Sequence, residues 1–571
     1  MKITNKFFSI IMLLLLFSAV ELFAQLAPVD SVIEGNINSN VFLSKNKRYL
    51  LRGFVNVNPP ATLTIEAGTV IYGEKSSKGS LIINRGAKLI ADGTANEPIV
   101  FTSQELPGNR GPGDWGGIII AGNASINVPG GTATIEGGTG TVYGGGTNPN
   151  DDDNSGIIRY VRIEFPGIAF LPDNEINGLT LGGIGRGTTV EYVQVSYCGD
   201  DSFEWFGGTV NSKYLIAFKG VDDEFDTDFG FRGLNQFLFG LRDPNIADIG
   251  GSNGFESDND GTGTYNQPRT RPLFSNVTLV GPMPDTSFTA YNPNFKRGAH
   301  LRRATQTSIY NSIVMGYPIG LFIDGSRSAN SAIGDTLQIR NSIWAGLRAG
   351  NGIITNQSGF DVLSWYDTPA YGNRRYVQPA QVELTDPFNL SNPNLVPTVS
   401  SPASSGADFT NSRLLDAFFT PTTYVGAFDP NGDRWDLPWA NYDPQNTNYV
   451  LSVEENQLSS LPTNFSLSQN YPNPFNPSTK IVYSVAKPSK VKLYITNILG
   501  QVVEELINDY KEVGTYELNY NAENLTSGLY IYTLEAGNTK LSKKMTLLKW
   551  SLLSPSTRGV AIGSALFYFI I

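Results

Sequence analysis

The chain has 571 residues but only one cysteine, Cys198, and one histidine, His300. A lone thiol excludes any internal disulfide, and the expected role for Cys198 is that of a small buried apolar residue. A lone imidazole excludes multi-histidine metal centres. Charged residues are scarce at 16%, and acids exceed bases to leave a net charge of −11. Such a balance disfavours nucleic acid and anionic membranes as partners and favours cations. Phosphate loops, dinucleotide fingerprints and nucleophile elbows are missing. From about residue 26 to 450 no segment sustains a helical period, so folds that alternate helix and strand are not expected. The apolar runs Phe7–Val20 and Val560–Ile571 are each too short to span a bilayer, so no transmembrane anchor is expected.

What is abundant is glycine (60), phenylalanine (32) and tyrosine (26), a composition of strands and bends. Leu63–Ile71 is echoed by Leu81–Ile90, and Pro98–Ser103 and Trp115–Ile120 follow. A second pattern, an apolar pair, a Tyr or Asn, alternating residues and then Gly, recurs at Ile157–Gly167, Val190–Gly199, Lys213–Gly220, Phe274–Gly281, Ile309–Gly316 and Ile339–Gly346. Strands this short cannot bury a face alone, but parallel neighbours at ~4.8 Å complete one another, so the pattern predicts a stacked coil. Asn276, Asn311 and Asn341 fall at equivalent places and are expected to stack as an amide ladder. The competing architectures are a propeller, which needs a steadier period, and tandem sandwiches. The repeat resembles the right-handed parallel β-helix superfamily that includes pectate lyases.

The C-terminal part reads differently. Asn470-Tyr471-Pro472-Asn473-Pro474-Phe475-Asn476-Pro477 opens a set of short alternating strands, Lys480–Val485, Val491–Ile495 and Gly528–Leu534, with Gly500 and Gly514 at turns. The prolines hold the opening extended and remove its donors, which suits the edge of a small antiparallel sandwich. This opening, with Ile498–Val503, Leu525–Tyr530 and Lys543–Lys549, resembles the type IX secretion system C-terminal sorting domain of Bacteroidetes-type bacteria. The resemblance implies recognition by that secretion machinery, passage across the outer membrane, and removal of the domain with release or surface attachment. Members of that family normally stop near the Lys543–Lys549 motif, whereas this chain continues. Lys2 and Lys6 before the first apolar run, and Leu22-Phe23-Ala24 before Gln25, describe an export signal cut near Ala24. The organisation is thus an all-β chain: a signal peptide (1–24), a right-handed parallel β-helix with a terminal cap (25–450), a linker (451–463), an Ig-like β-sandwich sorting domain (464–549) and an atypical tail (550–571).

Chemistry concentrates in one acidic constellation. Asp200-Asp201-Ser202-Phe203-Glu204-Trp205-Phe206 is followed 22 residues later by Asp222-Asp223-Glu224-Phe225-Asp226-Thr227-Asp228, and Asn253-Gly254-Phe255-Glu256 forms a third copy. Aligning Phe203, Phe225 and Phe255 places Glu204, Asp226 and Glu256 in one column, one coil apart. Like charges at that spacing repel by about 1 kcal/mol per pair in water and several-fold more near a surface. They must therefore hold protons or cations. A hard cation accepting six to eight oxygens suits such an array, which points to calcium held by Asp200, Asp201, Glu204, Asp222, Asp223, Asp226, Asp228 and Glu256. Asp429-Pro430-Asn431-Gly432-Asp433 reads as an ordinary turn or a weaker calcium loop.

Three uses compete for the constellation: a calcium site that staples coils, a solvated acidic bank without an ion, and catalysis. Trp205 and Phe206, with Phe229 nearby, are candidates for a glycan platform, packing inside the coil being the alternative. The segment Asp-Asp-x-Phe-acid, followed by Gly230-Phe231-Arg232-Gly233, is similar to calcium-dependent polysaccharide lyases. That resemblance implies β-elimination on a uronate polymer with Arg232 as the base. The lyases carry lysine there, and arginine is hard to deprotonate; Lys219 is a fallback without motif support. The expected function is an exported, surface or secreted β-helix protein that binds calcium and glycan in adhesion, with the lyase as the alternative.

Overall fold

A computed structural model describes residues 26–549 apart from 172–173, 349–351, 450–455, 459–463, 523 and 538. The expected signal peptide and the tail 550–571 lie outside the described residues, as does most of the expected linker. The chain divides into two units, residues 1–448 and 449–571.

In the first unit 26 strands join through parallel pairing. Helix among the described residues is confined to Gly325–Ile333 and Val362–Tyr366, with a few single 3-10 turns. Each coil contributes up to three strands, and every face is continued by the next coil in register: Val193 pairs with Val161 and Leu215, and Phe225 with Phe203 and Phe255. The body is therefore a parallel β-helix. Its interior is a stack of like residues, with Leu63, Leu89, Ile158, Val190, Phe203, Phe225 and Phe255 all buried. Two of its faces meet at a sharp bend that requires a left-handed backbone. Tyr160, Tyr192, Tyr214, Phe237, Asn276, Asn311 and Asn341 occupy it in successive coils, with φ between 50° and 62°. Asparagine tolerates this conformation better than aromatic residues do. The first four positions are compensated by ring stacking, with centroids 4.4, 4.3 and 5.2 Å apart.

The asparagines share a row as expected, but their amides do not bond one another. Asn276 donates to Thr422 and to the carbonyls of Tyr424 and Gly426, while Asn311 exchanges bonds with Asp408. Gln236 clasps Thr420 and Gln194 clasps Asn441, each by a pair of bonds, and Arg110 donates to the carbonyls of Pro444 and Thr447. The segment that follows the coil is thus a strap. It runs back along the coil from about residue 405 to 447 and lays Trp435, Trp439 and Tyr442 against the ring stack and its neighbouring face. Backbone amides that have no sheet partner here are satisfied by side chains from the coil, as buried polar groups require.

Six successive strands of the face that carries the acidic residues are labelled here β1 (Leu179–Gly182), β2 (Phe203–Phe206), β3 (Phe225–Asp228), β4 (Ser252–Ser257), β5 (Phe295–Leu301) and β6 (Ile319–Ile323). Inside the coil Phe203, Phe225 and Phe255 stack with centroids 5.6 and 5.7 Å apart. Glu224 turns inward beside them and pairs with Arg242, and both side chains are buried. Tyr317 donates to Glu224 at 3.3 Å and Arg242 to the carbonyl of Gly220 at 3.0 Å. Burial raises the Glu224 carboxyl to about 7 although Arg242 opposes the shift.

The second unit is a sandwich of two antiparallel four-stranded sheets. The Asn-Tyr-Pro opening is built into it. Asn470 is buried, its side chain donates to Thr479 at 2.9 Å and its backbone N–H donates to the Tyr532 hydroxyl at 2.8 Å, while Phe475 fills the core.

Removing one member of a buried pair leaves the other charge uncompensated, which costs about 3–5 kcal/mol. Arg242→Met is therefore expected to lower unfolding free energy by that amount in urea, and adding Glu224→Gln to recover most of it. Equal stability of the single variant and the natural chain would contradict the pairing.

Candidate metal centre

Alternation along a strand sends Phe203 and Trp205 inward and Glu204 and Phe206 outward. Register then dictates the rest. Glu204 pairs with Thr180 on β1 and Asp226 on β3, Asp226 with Glu256 on β4, Glu256 with His300 on β5, and His300 with Phe322 on β6. A second row at the corner before these strands holds Asp201, Asp223, Asn253 and Arg297. There the Asp201 carboxylate accepts from the backbone of Asp223 at 2.8 Å, and Asp223 accepts from that of Asn253 at 2.5 Å. Both rows change from acidic to basic in the same direction along the coil.

The acidic end gathers five of the eight expected residues. One oxygen each from Asp200, Asp201 and Asp222, and one each from Asp201, Glu204 and Asp226, lie within 4.8 Å of one another. Asp201 belongs to both groups. Burial, and then neighbouring carboxylates, hold Asp201, Glu204, Asp222 and Asp226 well above the usual carboxylate range. Burial also lifts Asp223 to about 6, where Glu256 adds to the rise and Arg242 and the Asn253 bonds oppose it. Among the described residues Asp201, Glu204 and Asp226 form no ion pair with a protein cation, and Arg242 opposes the rise at Asp222. Asn177 donates to Glu204, yet its own Oδ1 is buried without a partner, as is Oδ1 of Asp226. A cation seated there would find carboxylates from adjacent coils, in competition with the bonds from Asn177 and the Asp223 backbone.

The remaining three are placed otherwise. Asp223 is committed to the corner bonds. Asp228 accepts from the backbone of Phe229 at 2.6 Å and lies near Asp258 and Asp260, its carboxyl raised by burial and then by Asp258. Glu256 pairs with Arg302 and with His300 Nδ1 at 3.2 Å. Burial pushes the Glu256 carboxyl up, but His300 and Arg302 outweigh it and bring it below its ordinary value.

His300 is the residue that motif reasoning missed. It stacks on Phe322 at 5.2 Å and reaches Asp324 through Nε2 at 3.0 Å. Its place was readable in the repeated order Gly254-Phe255-Glu256-Ser257 and Gly298-Ala299-His300-Leu301. The glycine stands where a Cβ on Gly254 would come within 2.5 Å of the Gly298 carbonyl.

Three expectations are corrected. Trp205 is 0% exposed and stacks on Phe231 at 5.3 Å inside the coil, so it offers no face to a glycan. Phe206 points outward but is covered by Tyr143 and Phe229, with centroids 5.8 and 5.7 Å away. Arg232 donates to Asp151 and to Ser125, each at 2.8 Å, so its guanidinium is held in an ion pair with a loop 81 residues earlier. The lyase reading loses the base its resemblance assigned. Lys219 lies at the end of a strand on a different face and donates to Tyr197 at 3.1 Å. Cys198 is buried with its sulfur 3.0 Å from the Asp201 carbonyl, and burial pushes the thiol up, as an inert packing role requires.

Comparison with curated proteins finds no match. The family described as the secretion system C-terminal sorting domain matches residues 469–547, so the C-terminal sandwich is a type IX sorting domain and the chain is an exported one. No helix among the described residues is long and apolar enough to cross a membrane. The family described as the pectate-lyase-like β-helix domain matches residues 35–363, more than half of the chain, and the protein belongs to that family.

Proposed function

We propose that this exported β-helix protein binds calcium through Asp200, Asp201, Glu204, Asp222 and Asp226, and that it acts as a binder or adhesin at the cell surface or outside the cell. The observation that carries the reading is the pair of buried, unpartnered oxygens on Asn177 and Asp226 beside the Asp201 and Glu204 carboxylates, which form no ion pair among the described residues. Leaving such groups without partners is unfavourable by about 1–3 kcal/mol each, and more for a charge. Calcium accepts six to eight oxygens from carboxylates, carbonyls and water in flexible geometry, which five acids and one amide oxygen can supply. Bound there, the ion fastens the coils of β1, β2 and β3 across their register. A glycan or partner then meets a rigid face.

Calcium at 100 times its dissociation constant is expected to stabilise the fold by about 2.7 kcal/mol. Asp201→Asn and Asp226→Asn are expected to abolish that gain while making the chelated protein more stable than the natural chain. A melting temperature indifferent to calcium in the natural chain would refute the proposal.

Acidity supplies a second test. The cluster carboxyls titrate higher when folded than when unfolded, so unfolding releases protons across that interval. Their contribution is fully present below about pH 4 and is lost as pH rises, for Asp223 between about 4 and about 6. In chelator, the stability of the natural chain relative to Asp201→Asn/Asp226→Asn is expected to fall as pH rises above about 4, and calcium is expected to flatten the fall. A pH-independent difference would contradict the stated protonation.

Delivery is tested by truncation after residue 463. The body is expected to accumulate inside the outer membrane, and its undiminished appearance in the medium would contradict dependence on the sorting domain.

A further inference from the structure

Behind the acidic corner lies a buried cation with more to do than balance one carboxylate. Arg242 follows the strand Leu234–Leu241, and its side chain is 0% exposed. Besides its ion pair with Glu224, its fork spends two donors on backbone. Nη1 donates to the Gly220 carbonyl at 3.0 Å and Nη2 to the Asn253 carbonyl. Those carbonyls belong to adjacent coils. Gly220 stands two residues before Asp222 and Glu224 two residues after it. Asn253 gives both its backbone and its side-chain N–H to Asp223. Arg242 therefore grips the chain on both sides of Asp222 and Asp223 and ties that corner to the next.

The sequence leaves room for this contact at one position. A Cβ on Gly240 would come within 2.8 Å of Glu224 Cγ and 2.9 Å of Leu279 Cδ2. Glycine two residues before Arg242 thus lets Glu224 turn inward, where the Tyr317 hydroxyl donates to it at 3.3 Å. A guanidinium is planar and presents its donors in a fixed fork, so it sets the positions of the groups it binds; an ammonium on a flexible stem does not. On the outside, one oxygen of Asp222 lies within 4.8 Å of one from Asp200 and one from Asp201. Asp222 reaches them across the gap between two coils, so any shift of its backbone opens the group.

We infer that Arg242 is a positioning residue for the calcium site, holding the backbone of residues 220–224 and 253 from inside the coil so that Asp222 meets Asp200 and Asp201. This role rests on the calcium reading and adds to it how the site is kept in shape. Calcium needs oxygens from several coils at once, whereas magnesium keeps most of its water and takes one or two carboxylates. Calcium binding is therefore the more sensitive to the corner.

Calorimetric titration of the folded full chain with calcium, and separately with magnesium, tests the role. Arg242→Met/Glu224→Gln removes a neutral pair, so the net charge beside the site is unchanged and a loss of affinity reports geometry. The calcium dissociation constant is expected to rise about tenfold while the response to magnesium stays the same. Arg242→Lys, which keeps the charge without the fork, is expected to show the same loss. Asp436→Asn, which breaks the buried Arg434 pair in the strap, is expected to lower the melting temperature and leave calcium affinity intact. Unchanged calcium affinity in the double variant, full affinity in Arg242→Lys, or an equal loss in Asp436→Asn would overturn the role of Arg242 and leave the calcium reading standing. A natural chain that binds no calcium would remove both.

Discussion

Register between parallel strands is the constraint on which the rest of this structure depends. Once Phe203, Phe225 and Phe255 stack inside the coil, the residues that follow them must stack outside it, about 4.8 Å apart. The backbone ladder and the interior rings are indifferent to the outward charges. Stabilisation of the interior therefore forces acids together that repel one another, and the energy of that repulsion is available to a ligand of opposite sign.

The two outward rows show how one architecture makes regions of different chemistry. Near β2 and β3 the outward acids Asp201 and Asp226 form no ion pair among the described residues, and burial raises their proton affinity. One coil on, Arg302 pairs with Glu256 and His300 Nδ1 lies against it. The strap contributes by a separate route. It covers the bend on another flank of the coil, where ring stacking and side-chain amides hold it.

Much of this was legible in the sequence because repeats translate directly into contacts. The spacing of Phe203 and Phe225 is the height of one coil, so the acid column could be drawn before any coordinates. Period-two alternation also assigns Trp205 to the inside, and the glycan role expected for it overlooked that period. Other features were not legible for physical reasons. His300 follows Ala299, where the earlier copies have phenylalanine, so the aromatic marker of the repeat disappears although the register continues. Arg232 matches a motif position, but its partner Asp151 comes from a loop with no periodic relation to it. The strap has no period at all. Its bonds run from side chains to backbone across more than a hundred residues, and no local pattern records them.

The central claim is that the carboxylates stacked by register on β2 and β3 hold a metal ion rather than shared protons. Anomalous scattering from a crystal of the protein soaked in a terbium salt, a heavy stand-in for calcium, tests it most directly. The account predicts a peak bounded by Asp201, Glu204 and Asp226. A map with no peak there, or with the ion only at the Asp429–Asp433 turn, would contradict it.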